Sequence, residues 1–343
     1  MKVLSKVFII KLISFFIILG VLLSLFVLSL YPFLSERYVR DAYFFSVYKR
    51  YQYAIEDMEK AIDYAPYDAH YRIVLGRYYH EYYSTLKDNW SKERLLKKME
   101  RNYFLTLKYD PINPWVYMYL VGIYSEYSKI YPEKALYYES KIKSAYEKMA
   151  EIGFLNPLFQ LNYAFYLHQQ NRLSEAAEVY QRVINYDQSM GEASINLANI
   201  HLEEKRFLDA LECLLDFKAR FSEFKGLNTM LANTYLLMNR HQDAQDVLLE
   251  ENTINPRQEK VLQMIVRVSV YLNDWTLATK YFNQLYTLYP NQEPQFFYMY
   301  IHALVKAEYY KQAYRLLLNY VVKFPQDEAA ESLLKEIREK IVL

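Results

Sequence analysis

Three phased series of residues constrain this chain more than any other feature. Ala176, Ala210, Ala244, Ala278 and Ala313 follow one another at 34, 34, 34 and 35 residues. Ala164, Ala198 and Ala232 repeat at 34, each twelve residues before a member of the first series. Pro256, Pro290 and Pro325 repeat at 34 and 35. A period of that length marks a stack of small supersecondary units, each burying the apolar face that its neighbour cannot bury alone.

One unit shows what is repeated. Between Leu158 and Asp187 apolar residues recur through Leu161, Ala164, Phe165 and Leu167, then through Ala176, Ala177, Tyr180, Val183 and Ile184. Both runs have helical spacing. Asn171-Arg172-Leu173-Ser174-Glu175 separates them; Asn tolerates the left-handed conformation that closes a helix, and Ser174 is expected to cap the next one. The turn recurs from Lys205, Asn239 and Asn273. The alanines are expected where two helices approach most closely. Tyr180, Leu214, Leu248, Phe282 and Leu317, four residues after the second-helix alanines, are expected to fill the space between hairpins. The prolines are expected to end second helices, because Pro cannot continue the hydrogen-bond ladder.

This pattern resembles the tetratricopeptide repeat family. Leu231, Ala232, Tyr235, Ala244, Leu248 and Pro256 stand where that family has its characteristic residues; Glu251, at a position the family fills with a small or apolar residue, is the departure. Tyr53, Ala54, Met58, Ala61 and Pro66 fit the second half of a first repeat, and Leu75, Gly76 and Tyr79 the first half of a second that closes at Pro111. The spacings from Pro66 to Pro111 and on to Pro157 are 45 and 46, so extra residues are expected near Tyr83–Ser91 and Ser125–Lys134. The resemblance covers Arg37 to Pro325. It implies an all-α fold, a right-handed α-solenoid of about eight helical hairpins over 35–325. Six Gly and ten Pro in 343 residues suit such a chain. In 326–343, Ala330, Leu333, Leu334, Ile337 and Ile341 form one face, as expected of a capping helix with a polar outer side.

Before the repeats lies an apolar run. Residues 1–11 form a basic tail with Lys2, Lys6 and Lys11, and 12–34 carry no charge. As a helix, that stretch is about 34 Å long, enough to cross a hydrocarbon core of roughly 30 Å. Tyr31 and Phe33 flank Pro32 at its far end, where an interfacial belt and a helix stop are expected. The run is long for a signal peptide and lacks a small-residue cleavage site, so it reads as an uncleaved single-pass anchor. Arg37, Arg40, Lys49 and Arg50 follow it, so positive charge does not orient it. A short tail before a long folded domain favours tail inside and repeats outside, on the extracytoplasmic side of a bacterial cytoplasmic membrane.

The sequence offers little chemistry. A formal net charge of +1 argues against a nucleic-acid partner. His70, His80, His168, His201, His241 and His302 form no metal-ligand spacing, and Cys213 sits among leucines on a second helix. No catalytic residue, metal or cofactor is expected. The family resemblance implies instead that the first helix of each hairpin lines a groove for a partner. Asn162, Asn196, Asn199, Asn233 and Arg267 stand at such positions, and an Asn amide can both donate to and accept from an extended backbone. A carboxylate clamp of the kind found in some co-chaperones would use Ile195, Asn199, Met230, Lys260 and Met264, of which Asn199 and Lys260 match. Among 38 tyrosines, Tyr71, Tyr78, Tyr82, Tyr117 and Tyr124 are candidate groove aromatics. Stacking on sugars is a further expectation, since Ala65–Arg72 resembles repeats appended to some bacterial O-antigen polymerases and ligases. The reading is a scaffold that engages proteins within an envelope assembly, such as a motor, secretion or surface-polymer machine, and the bilayer through 12–34. Its alternatives are an envelope chaperone for extended polypeptides and an accessory to glycan assembly.

Overall fold

The computed structural model describes residues 2–221, 224–292 and 294–342. Met1 and Leu343, at the ends of the expected tail and cap, lie outside the described residues, as do the side chains of Lys2 and Lys6. Seventeen α-helices and no strand occur among the described residues. The chain divides into two compact units, Met1–Tyr166 and Leu167–Leu343.

The first unit holds α1 (Lys2–Val47), α2 (Tyr51–Tyr64), α3 (Ala69–Thr85), α4 (Asn89–Tyr109), α5 (Pro114–Ile130), α6 (Ala135–Ile152) and α7 (Pro157–Gln169) as far as Tyr166. From α1 to α6 each helix packs against the next, and loops of a few residues make neighbours antiparallel. Leu75, Tyr78, Leu96, Met99, Tyr103 and Leu120 share one buried core. The expected stop at Pro32 is corrected: Pro32 lies inside α1. Its missing N–H removes one ladder bond, but tertiary packing holds the helix beyond it. Ser35 is buried and donates from Oγ to the Ala61 carbonyl of α2 at 2.9 Å, and Ala42 is buried in the core. The last turns of α1 are therefore the first helix of the first hairpin.

The extra residues of the second and third repeats lengthen helices rather than loops. The helices α3, α4, α5 and α6 have 17, 21, 17 and 18 residues, against 13 in α7. Gly76 faces Tyr103 so closely that a Cβ there would lie 2.2 Å from the phenol oxygen, so only glycine fits. A second correction concerns Pro157, which begins α7 rather than ending α6; α6 stops at Ile152, and Asn156 Oδ1 accepts from the Leu158 N–H at 3.0 Å.

The second unit runs from the last turn of α7 through α8 (Leu173–Tyr186), α9 (Gly191–Glu203), α10 (Phe207–Arg220), α11 (Leu227–Leu237), α12 (His241–Ile254), α13 (Glu259–Tyr271), α14 (Trp275–Leu288), α15 (Pro294–Lys306), α16 (Tyr310–Lys323) and α17 (Glu328–Val342). Every phased alanine is fully buried, as are Tyr180, Leu214, Leu248, Phe282 and Leu317. The turns inside the hairpins close through Asn171, Lys205, Asn239, Asn273 and Glu308, all at positive φ. In each, two backbone bonds tie off the preceding helix. At the first, Arg172 N–H reaches the Leu167 carbonyl at 3.0 Å and Asn171 N–H reaches that of His168 at 2.9 Å. This geometry corrects the expected Ser174 cap. The turn leads directly into α8 at Leu173, its N-cap is Arg172 without a side-chain bond, and Ser174 falls inside the first turn.

Glu251, the departure from the family pattern, is buried and accepts from Asn255 Nδ2 at 3.0 Å and Gln258 Nε2 at 3.3 Å. At the end of the unit, α17 packs on α16 and buries Ala330 and Ile337. Asp327 links three helices: Tyr298 of α15 and Tyr320 of α16 donate to its Oδ2 at 2.5 and 3.1 Å, and the Ala330 N–H of α17 to its Oδ1 at 3.1 Å.

Candidate functional site

Four tyrosines of the first unit end on carboxylates of neighbouring helices. Tyr71 donates to Glu36 at 2.6 Å, Tyr79 to Glu59 at 2.6 Å, Tyr83 to Glu126 at 2.7 Å and Tyr127 to Glu100 at 3.4 Å. Each bond joins two different helices, so a ring buried in the interface ends on a carboxylate at its edge. Burial first, and the carboxylate next, push these phenols upward; Tyr71 is pushed up to about 12.

The candidate groove aromatics therefore split. Tyr71, Tyr78 and Tyr124 are buried core residues, a correction to their expected place on an open surface. Tyr82 and Tyr117 are half-buried, and Tyr82 accepts from Gln52 Nε2 at 2.5 Å. Tyrosine–carboxylate pairs were not legible in the sequence, because partners such as Tyr83 and Glu126 lie 43 residues apart.

The asparagines split as well. Asn162 donates to the Leu158 carbonyl of its own helix at 2.8 Å and is satisfied locally. Asn196 stands beside the Tyr180 phenol, which burial pushes up and the amide pulls down. In the second unit Asn199, Asn233 and Arg267 occupy the same register on α9, α11 and α13. Asn199 is half-buried, and Asn233 and Arg267 are exposed. No side-chain hydrogen bond holds Asn199 or Asn233 among the described residues, and the Arg267 guanidinium lies 4.8 Å from the Phe296 ring of α15. This row presents two unengaged amides and one cation.

A second concavity of the same unit was missed by the sequence reading, which sought aromatics in the first half. Tyr286 and Tyr300 stack at 5.6 Å on its floor, with Phe297 beside them, and Lys311 and Arg315 stand on its rim. The signal was present in the aromatic-rich α15. Burial pushes the Cys213 thiol up to about 11, so it is not a thiolate at neutral pH. Burial and then Arg206 lower His201, which favours its neutral form. No group of three metal-ligating side chains occurs among the described residues.

No family model and no curated protein matches the chain. Solved structures do resemble it. YrrB, a TPR protein with an unusual peptide-binding site, is 17% identical over 56% of this chain and 98% of its own, at a TM-score of 0.46. PilW, a widely conserved type IV pilus biogenesis factor, is 18% identical over 64% of this chain and 96% of its own, at 0.46. A tetratricopeptide repeat protein from Parabacteroides merdae is 11% identical over 79% of this chain and 98% of its own, at 0.47. At these identities and scores the likenesses carry no argument about partner or process. The all-α hairpin fold rests on the chain's own helices.

Proposed function

We propose that this chain is a membrane-anchored scaffold, in which 12–34 cross a bilayer and the helical repeats hold a protein partner on its extracytoplasmic side. The observation that carries this reading is α1. Its described side chains from Lys11 to Val27 are all exposed, on every face of the helix, and none from Leu12 onward is charged. An apolar helix exposed all round is at home in lipid and not in water. The same helix continues into the first hairpin, so anchor and repeats are joined without a flexible linker.

For the partner, the row Asn199, Asn233 and Arg267 is the favoured contact, because its amides are free to bond an incoming backbone. The triple variant Asn199→Ala, Asn233→Ala, Arg267→Ala tests this. Folding should change little, since surface substitutions shift stability by about 0.5 kcal/mol or less each. Recovery of co-purified protein from solubilised membranes should fall, as each lost hydrogen bond removes roughly 0.5–1.5 kcal/mol. Full recovery with normal melting would reject the row as the contact. A second reading, a chaperone for extended polypeptides, is favoured by the same free amides, which bond a backbone without reading side chains. One stoichiometric partner in the pull-down supports the scaffold; many unfolded clients support the chaperone. The glycan-accessory alternative loses the sugar-stacking role expected of Tyr71, Tyr78 and Tyr124, which have no open face.

A further inference from the structure

One edge of the first unit is apolar in a way that its hydrogen bonding and core do not require. The loop between α2 and α3 carries Tyr67, 77% exposed; that between α4 and α5 carries Ile112, 73% exposed; that between α6 and α7 carries Phe154 and Leu155, the latter 73% exposed. Trp115 opens onto the same surface from the first turn of α5. The loops are contiguous: the Tyr67 and Tyr109 rings meet at 5.5 Å, and Trp115 meets Phe159 at 5.0 Å. Their acids are turned to local work. Asp68 accepts from the Tyr71 N–H at 3.1 Å, and Asp110 from Asn113 Nδ2 at 2.7 Å.

At its α2–α3 end this edge lies level with the end of the uncharged run of α1. Because α2 is antiparallel to α1, its C-terminal end returns to that point. The Tyr31 and Tyr64 rings meet at 5.6 Å, Tyr38 stacks on Tyr64 at 5.8 Å, and Ser35 bonds Ala61. We infer that these three loops lie in the headgroup region of the bilayer that α1 spans, as a second, peripheral contact beside the anchor. This rests on the anchor proposed above. Aromatic and apolar side chains at such a level are what an interfacial belt contains.

Two comparisons within the chain support the choice of a lipid surface. The equivalent loops of the second unit, away from the anchor in sequence, carry Gln188 and Ser189, Arg257 and Gln258, Asn291 and Gln292, and Gln326. Phe224 and Phe324 in these loops are 45% and 54% exposed and meet Phe217 and Tyr320 at 5.2 and 4.8 Å. The opposite edge of the first unit exposes Tyr48, Trp90 and Leu136 as well, but among Lys49, Arg50, Lys87 and Lys134. The stretch of α1 from Leu34 to Val47 raises that edge about 20 Å away from the span, out of reach of the same surface.

The native tryptophans test this. The full chain is reconstituted into phosphatidylcholine bilayers whose acyl chains carry bromine close to the headgroup. One variant keeps only Trp115 (Trp90→Phe, Trp275→Phe), the other only Trp90 (Trp115→Phe, Trp275→Phe). Trp115 should be quenched several-fold more than Trp90, without need of anionic lipid and with little effect of salt. In a Cys213→Ser background, an environment-sensitive dye on Leu155→Cys should report an apolar setting that the same dye on Leu136→Cys does not. Equal, weak quenching of both tryptophans and equal dye spectra, in protein that survives an alkaline carbonate wash, would overturn the second contact and leave the anchor standing. Protein removed by the wash would overturn both.

Discussion

The left-handed residue in the hairpin turn is the smallest unit on which this fold depends. Lys49, Asn171, Lys205, Asn239, Asn273 and Glu308 have φ between 57° and 64°. Asn at three of these positions, and the recurrence of the turn at Lys205, announced it in the sequence; Lys49 and Glu308 did not, because a side chain with no local preference for that region is held there by two backbone bonds and the following helix. A β-branched residue at such a position clashes with the neighbouring carbonyl. Asn239→Val should therefore lower stability by about 1–2 kcal/mol, while Lys205→Gly should raise it, as read from urea melts of both variants. Equal melts for Asn239→Val and the parent chain would mean that the turn is not fixed in the fold. Ser174 shows the opposite case: a good capping residue is passed over because the turn geometry leaves no extended position for it.

Helix by helix, the alanine and proline series predicted pairing and phase well, whereas helix length and hydroxyl partners were hidden. Helices α3 to α6 are longer than the helices of a regular repeat, and Tyr71, Tyr79, Tyr83 and Tyr127 end on carboxylates of neighbouring helices. Those bonds make the unit sensitive to alkali. Tyr71, pushed up from the ordinary value of 10.0 to about 12, favours its neutral form in the folded chain. A phenol raised on folding contributes stability in full below its unfolded pKa and loses it as pH rises through the folded one. Stability should thus be level up to about pH 10 and fall from there toward 12, read as loss of helicity. The variant Tyr71→Phe should show a shallower fall. An equal alkaline loss of helicity in Tyr71→Phe and in the parent chain would contradict the buried Tyr71–Glu36 pair. Pro32 belongs to this scale too: its place in the sequence pointed to a helix end, but Ser35 and Ala42 hold α1 onto α2 beyond it.

For the whole molecule, the central claim is that one helix is both anchor and first element of the repeats. The apolar run was legible because it lacks charge over 12–34; its continuity with the hairpin was not, because that depends on tertiary contacts 26 residues apart, such as Ser35 with Ala61. The shared register of Asn199, Asn233 and Arg267 was legible as a 34-residue recurrence, while the commitment of Asn162 to its own helix needed the structure. Protease treatment of intact spheroplasts from cells making the full chain tests the claim directly. The account predicts that the repeats are digested from outside while a fragment containing residues 12–34 stays in the membrane pellet through an alkaline wash. A chain released from the membrane by the wash would contradict the anchor, and a full-length chain protected from protease would reverse its orientation.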